Sequence, residues 1–483
     1  MRLLDLIKDI PVESIDGEIT LDIKGITKDS RRVEEGYMFF ATSTSESYIK
    51  DAFNRGAVAI VSQKRHGYGF KCHIVTGHIE SALGMVASRF YGDPSEKIHI
   101  TGITGTNGKT TITYLIESIL NAAGMAPGVI GTISYRYKGK TFKADNTTPG
   151  AEQLQGLLAE MVSSGVSHVI MEVSSHALDQ RRVEGTHFNA AIFTNLTHDH
   201  LDYHRDLVHY KEAKRLLFNH YLMKSNKGKR YAILNMDDPN VDDFVPKPPV
   251  KTLFYSRNRQ VDAYLSDYRE DINGLSLKVT LGRESLNITS SLIGGFNASN
   301  ILAACLFGYG EGIPMGYIKE GIESLESVPG RMERVKNNKG YPVFVDYAHT
   351  PDALAKVLEM LNTIKKGRLI TVFGCGGNRD TAKRPIMGDI ASRLSDFTII
   401  TSDNPRNEDP KKIIDDIIRG VHGDSYRVIE SRRDAISEAI RMLKKDDCLL
   451  IAGKGHEDYQ IIGDSVYHFS DKEVAEEFLN VAT

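Results

Sequence analysis

The strongest constraint on this chain is a single run. His99-Ile-Thr-Gly-Ile-Thr104 passes without a break into Gly105-Thr106-Asn107-Gly108-Lys109-Thr110-Thr111, and a helical pattern follows to about residue 124. A strand, a glycine-rich turn and a helix N-terminus in that order aim backbone N–H groups at an anion, and Lys109 adds a positive charge. Thr110 is placed to put its hydroxyl on Mg²⁺. The strict GxxxxGK[ST] spacing is not met, because Ile103 stands five residues before Gly108 and Gly102 is one residue too early. The competing reading is a glycine-rich turn carrying an incidental Lys-Thr pair. The strand before it and the helix after it favour a phosphate cradle.

A phosphate loop of this kind needs a parallel sheet around it, and the rest of the chain supplies the pattern. Residues 1–97 hold short β-rich runs (YMFFA, AVAIVSQ, CHIVTG), then a helix-like stretch ending in GDPSEK. From residue 98 strands and helices alternate as far as ESLESVPGRMERV, where a Pro-Gly break marks a second linker. Beyond it the alternation is regular: VFVDYA, RLITVFG, DFTIITSD, YRVIES and DCLLIAGKG, each pair separated by a helix-length segment. The expectation is an α/β chain of three domains: a small α/β domain at 1–97, a central P-loop-type domain with a mostly parallel sheet at 98–329, and a Rossmann-like domain at 330–483. A length of 483 residues fits that count at about 100–200 residues per domain.

Composition narrows the function classes. Sixty Lys and Arg against 63 Asp and Glu leave a net charge of −3, which argues against a nucleic-acid binder. No apolar run reaches membrane-span length, and the opening MRLLDLIKDI carries acids where a signal peptide would not. Cys72, Cys305, Cys375 and Cys448 are far apart, with no metal or disulfide spacing. A soluble cytoplasmic protein is expected.

Two further features carry chemistry. Glu172 stands at the end of the strand-like HVIME, and ligands of open parallel sheets sit outside such strand ends. A lone Glu there is usually solvated; beside a phosphate loop it is a candidate Mg²⁺ ligand. The next strand runs into His198-Asp199-His200-Leu201-Asp202-Tyr203-His204, which nearly spells a metal-hydrolase signature. The register fails, because Tyr203 occupies the final histidine position. The helix that follows places Leu207, Tyr210, Lys214, Leu217 and Phe218 on one face. Lys214 therefore lies on the apolar side, either snorkelling from its edge or buried, neutral and able to react.

Taken together, GTNGKTT, NTTP, EVSSHALDQRRV, THDHLDYH, YKEAKRLLF, GGFNASN, GRMERV, VDYAHTPDAL, GCGGNRD, DNPR and GKGHEDYQ resemble the Mur ligase family in content and in order, from about residue 25 to 465. The resemblance is nearest to the member that adds a diamino acid to UDP-N-acetylmuramoyl-L-alanyl-D-glutamate. It implies an ATP-dependent amide ligase working through an acyl phosphate. It also implies an ATP site of Gly105 to Thr111 with Asn297, Asn300, Arg331 and Asp346. Two Mg²⁺ ions would be held by Thr110, Glu172, His200 and a carbamylated Lys214 (N6-carboxylysine, formed from CO₂). Lys28, Ser30, Asn146, Thr147, Thr148, Ser174, Gln180 and Arg182 match positions for the nucleotide-sugar dipeptide. The stretch ATSTSESYI (41–49) departs from the family, where many members carry a glycine and a DGH triplet.

The added amino acid is implied by Arg379, Asp403, Asn404, Pro405, Arg406, Gly453 and Glu457. An arginine in DNPR suits meso-diaminopimelate, whose second carboxylate a guanidinium grips bidentately, and would repel the ammonium of L-lysine. Glu457 would pair with the distal amine. GCGGNRD is no dinucleotide turn, since GxGxxG would need glycine at Arg379. Alternatives are the same ligase adding L-lysine, a folylpolyglutamate-type or D-Ala-D-Ala-adding ligase, and a motor or signalling P-loop NTPase. The expected partners are small molecules only, and the expected state is a monomer.

Overall fold

A computed structural model describes residues 1–197, 199 and 201–480. Its sheets fall in three successive stretches of chain, each wrapped by helices, which makes this an α/β protein with N-terminal, central and C-terminal parts. The first sheet runs Ser14–Gly17, Cys72–Val75, Ala59–Ser62, Tyr37–Phe40, Gly25–Thr27. Only Ser14–Gly17 is antiparallel to its neighbour. Tyr37–Phe40 reads as an unbroken apolar run because helix Ile79–Phe90 and the sheet bury it together, with Ala82, Leu83 and Val86 packed on Met38 and Phe40.

The central sheet has eleven strands. Its parallel part is Pro127–Ile130, His168–Glu172, His99–Thr104, Ala190–Phe193 and Tyr231–Asn235. Ser134–Tyr137 and Lys140–Lys143 extend it antiparallel at one end; at the other, Lys251–Ser256 and Ala263–Asp271 pair in parallel, and Gly274–Leu281 and Glu284–Ser290 follow antiparallel. That is more antiparallel content than a reading of regular alternation anticipates. The cause is visible in Gly274–Leu281, where buried and exposed residues alternate because one face is solvated.

The C-terminal sheet runs Glu333–Arg334, Val343–Asp346, Cys448–Ala452, Leu369–Phe373, Phe397–Ile400, Tyr426–Val428, parallel apart from the first. The last-entering strand, Cys448–Ala452, lies between the two earliest of the parallel set. The carboxyl ends of four neighbouring strands therefore meet at a point where connections diverge, which is where open α/β sheets bind ligands.

By internal contacts the chain forms two compact units, one of residues 1–113, 124–196 and 206–254, the other of 114–123, 197–205 and 255–483. Each has its own buried clusters, the first centred on Ile100, Met171, Phe193 and Phe218, the second on Leu358, Phe373, Ile400 and Leu450. All four cysteines are buried and free. Among the described residues no helix is long and apolar enough to cross a membrane.

Candidate active site

In the first unit, strand His99–Thr104 ends in the loop Gly105–Gly108, and helix Lys109–Ala122 begins at once. Gly105 adopts φ +146°, and a Cβ there would stand 1.8 Å from Thr194 Oγ1, so no other residue fits this turn. The loop is laced to the neighbouring strand end. Thr106 N–H donates to Asn195 O (2.8 Å), Asn107 N–H to Asn195 Oδ1 (3.0 Å), and Thr194 Oγ1 to Asn107 O (2.6 Å). Lys109 Nζ folds over the loop, donating to Gly105 O (2.8 Å) and Thr106 O (2.9 Å).

Glu172 ends the adjacent strand and is 1% exposed. Its Oε2 accepts from Thr110 Oγ1 (3.0 Å) and Thr132 Oγ1 (2.9 Å), and its Oε1 from Thr132 N–H (3.0 Å). A buried carboxylate bonded to hydroxyls at the end of the glycine-rich loop is a hard oxygen set of the kind Mg²⁺ takes. No group of three or more His, Cys, Asp or Glu able to hold a metal occurs among the described residues. The oxygen set here is Glu172 with the hydroxyls of Thr110 and Thr132. His200 lies outside the described residues.

Lys214 is almost wholly buried. Helix Leu207–Leu216 starts at Asp206, whose side chain caps it, and carries Lys214 inward to 1% exposure. A snorkelling lysine would reach water; this one does not. Nζ donates to Gly105 O (2.8 Å) and stands 4.3 Å from the centre of the Tyr210 ring, while Tyr210 Oη lies 3.2 Å from Thr106 Oγ1. The helix thus delivers an amine to the back of the phosphate loop.

The carboxylate end of the same strand gathers the candidate dipeptide residues. Thr148 Oγ1 donates to Glu172 O (2.8 Å) and accepts from Ser174 N–H (3.1 Å), while Arg182 donates to Thr148 O (3.0 Å) and Gln180 Oε1 (2.7 and 3.0 Å). Thr147 Oγ1 lies 3.0 Å from Thr132 Oγ1, and Asn146 is exposed, its carbonyl accepting from Tyr135 Oη. Ser30 opens a short helical turn, Ser30–Arg32, beyond strand Gly25–Thr27, buried and bonded to Asp51, whose carboxyl it holds below the usual range; Lys28 is half-buried two residues before it. The divergent stretch 41–49 satisfies itself: Ser45 Oγ donates to Phe40 O (2.9 Å) and accepts from Thr42 N–H (2.9 Å).

The second unit holds the remaining candidates. Asp346 ends strand Val343–Asp346 and accepts from Met332 N–H (2.7 Å) and Ala348 N–H (2.8 Å). Burial pushes its carboxyl up, against the pull of the Arg331 guanidinium and those two donors. Arg331 lies over the Tyr347 ring at 4.8 Å. Asn297 and Asn300 are buried in helix Gly295–Glu311, bonded to each other at 2.9 Å.

At the strand-end convergence, Asp403, Asn404, Arg406, Gly453 and Glu457 come together. Arg406 takes φ +52° and donates through Nη1 to Gly377 O (2.9 Å); the same Nη1 would stand 2.9 Å from a Cβ on Gly376, with Arg379 Cγ at 3.8 Å from that point. Asn404 Nδ2 donates to Glu457 Oε2 (2.9 Å), and buried Lys454 Nζ lies 3.4 Å from the same oxygen. Burial raises the Glu457 carboxyl. A Cβ on Gly453 would meet Asp403 Oδ2 at 3.0 Å, and Pro405 is packed against Gly377. Arg379, Arg406 and Glu457 thus stand on loops that are bonded together at these strand ends.

Residues 103–308 match the Mur ligase middle domain, and residues 330–455 match the Mur ligase glutamate ligase domain. UDP-N-acetylmuramoyl-L-alanyl-D-glutamate–2,6-diaminopimelate ligase of Geobacter metallireducens is 43% identical, covering 98% of this chain and 97% of its own. The chain belongs to the Mur ligase family. Another Mur ligase of the same name, from Clostridium tetani, is 41% identical over 99% of both chains. A solved Mur ligase structure with that name superposes with a TM-score of 0.71 at 30% identity, covering 99% of this chain and 98% of its own.

Beside the Mur ligase motifs stand residues that sequence reasoning passed over. Thr132 gives Glu172 two hydrogen bonds, and Asn195 and Thr194 clasp the glycine-rich loop. Each lies just beyond a strand end, which is the positional signal that could have found them.

Proposed function

We propose that the chain is an ATP-dependent ligase joining meso-diaminopimelate to the D-glutamate carboxylate of UDP-N-acetylmuramoyl-L-alanyl-D-glutamate, a step of cytoplasmic peptidoglycan precursor synthesis. The observation that carries the amino-acid assignment is the set of loops, bonded together at the strand ends, that bears Arg379, Arg406 and Glu457. Its charges complement a carboxylate beside an ammonium, the end group that diaminopimelate has and lysine lacks.

The substrate carboxylate attacks the γ-phosphorus of ATP, ADP departs, and the resulting acyl phosphate takes the amine at carbon before phosphate is expelled. Gly105 to Thr111 cradle the ATP phosphates through backbone N–H groups, and Lys109 turns from its own loop to the phosphates. Thr110 and Glu172 would hold one Mg²⁺ and His200 and Lys214 a second, and the two ions would supply positive charge against the phosphoryl oxygens. Lys214 carries a carbamate: CO₂ adds to a neutral amine, and burial favours that form. The hydrogen bonds from Thr110 and Thr132 keep the Glu172 carboxylate oriented.

Asn297, Asn300, Arg331 and Asp346 complete the nucleotide site. Lys28, Ser30, Asn146, Thr147, Thr148, Ser174, Gln180 and Arg182 bind the UDP-sugar dipeptide. Asp403, Asn404, Pro405 and Gly453 line the amino-acid site with Arg379, Arg406 and Glu457. The domains run 1–97, 98–329 and 330–483, and the enzyme acts as a monomer. Phosphate release measured with ATP, UDP-dipeptide and amine, each omitted in turn, tests the ligase reading. Release that needs all three supports it; release with ATP alone would make the chain a simple NTPase.

A further inference from the structure

Arg384 is among the largest side chains buried in the molecule, at 1% exposure, and the proposed chemistry does not use it. It is the second residue of helix Lys383–Leu394. Nη2 donates to both oxygens of Glu408 (3.0 and 2.9 Å) and reaches Gly376 O at 3.4 Å, while Nη1 donates to Asp416 Oδ2 (3.0 Å). Glu408 also accepts the N–H of Asn378. Around this centre the two loops are stitched together. Gly377 N–H donates to Asn404 O (2.9 Å), Asn407 N–H to Asn378 Oδ1 (3.1 Å), and Arg406 Nη1 to Gly377 O (2.9 Å).

The loop that Asn378 belongs to carries Arg379, and the loop that Glu408 closes carries Arg406. The Arg379 side chain is exposed and makes no ion pair among the described residues, so its position is that of its loop. Arg406 Nη1 and Arg379 Cγ both approach Gly376, so the spacing of the two arginines depends on how these two loops are held together. One buried cation shared between two carboxylates leaves a net negative charge beside the pair. Its planar fork also fixes direction, as an apolar plug could not.

We infer that Arg384, acting through Glu408, is a positioning residue that sets the spacing of Arg379 and Arg406 and thereby the selectivity for an amino acid with a distal carboxylate. This rests on the diaminopimelate reading above. It adds a determinant outside the residues that touch the substrate.

The test is steady-state ligation by the full-length enzyme carrying Glu408→Gln, Glu408→Asp or Arg384→Lys. Glu408 is half-buried, so Glu408→Gln reports on the loops even if Arg384→Lys fails to fold. Loss of one charge-assisted contact should raise KM for meso-diaminopimelate about ten-fold or more in Glu408→Gln. KM for ATP and for the UDP-dipeptide should stay within about two-fold, since neither is placed on these loops. The preference for meso-diaminopimelate over L-lysine should narrow, and Glu408→Asp should recover most of it. An unchanged KM for meso-diaminopimelate in Glu408→Gln, or equal losses for all three substrates, would overturn the inference. Arg406→Ala separates the two levels: if it too leaves that KM unchanged, the diaminopimelate reading itself fails. If Arg406→Ala raises it and Glu408→Gln does not, only the positioning role fails.

Discussion

Thr110 donates its hydroxyl to Glu172 across 3.0 Å, tying the first turn of the phosphate-loop helix to the carboxyl end of the neighbouring parallel strand. The contact places a hydroxyl and a carboxylate side by side at the mouth of the loop. Glu172→Gln keeps the shape and removes the charge. It should lower kcat by roughly 10²–10³. The Mg²⁺ concentration needed for half-maximal rate should rise with it. A magnesium titration of ligation rate checks both.

Lys214 is predicted to work as a carbamate, so Lys214→Ala should be inactive and should regain activity with short-chain carboxylic acids, which supply an oxygen donor in the vacated space. Lys214→Arg cannot be carbamylated and leaves no such space, so it should stay inactive under the same additions. Rate against added acid is the measurement, and absence of rescue in Lys214→Ala would remove the carbamate from the account.

How far the sequence could be read depended on where partners lie along it. The phosphate loop declares itself because glycine at 105 and lysine at 109 are local demands of one turn. Lys214 declares itself because helical period puts it among Tyr210, Leu217 and Phe218. The strands Ala263–Asp271 to Glu284–Ser290 do not, because a sheet face exposed to water mixes polar residues into every strand. Arg384 was equally silent: its partners Glu408 and Asp416 are 24 and 32 positions away, and all three look like solvated helix charges until folded.

Arg432 and Asp471 form an ion pair with both side chains wholly buried, two bonds of 2.7 Å and a third from Arg432 to Ala452 O at 3.0 Å. Asp471→Ala leaves a buried guanidinium unpaired, which costs about 3–5 kcal/mol. Urea denaturation of the variant should show a midpoint well below that of the parent protein.

Burial holds the His456 imidazole down at about 4, against 6.5 when free. Between those values the unfolded chain binds the proton and the folded chain does not, so stability should fall as pH drops from 6.5 toward 4. The effect is on the order of 3 kcal/mol at its limit. Above 6.5 this contribution is fully present. His456→Gln should flatten that part of the curve when denaturation midpoints are compared from pH 4 to 7.

The central claim is that this ligase selects an amino acid with a second carboxylate. It is tested most directly by offering meso-diaminopimelate and L-lysine separately, with the same ATP and UDP-dipeptide, to the parent enzyme and to Arg406→Ala. The account predicts a large kcat/KM advantage for meso-diaminopimelate in the parent, with most of that advantage lost in Arg406→Ala through KM. Equal or better turnover of L-lysine by the parent enzyme would contradict it.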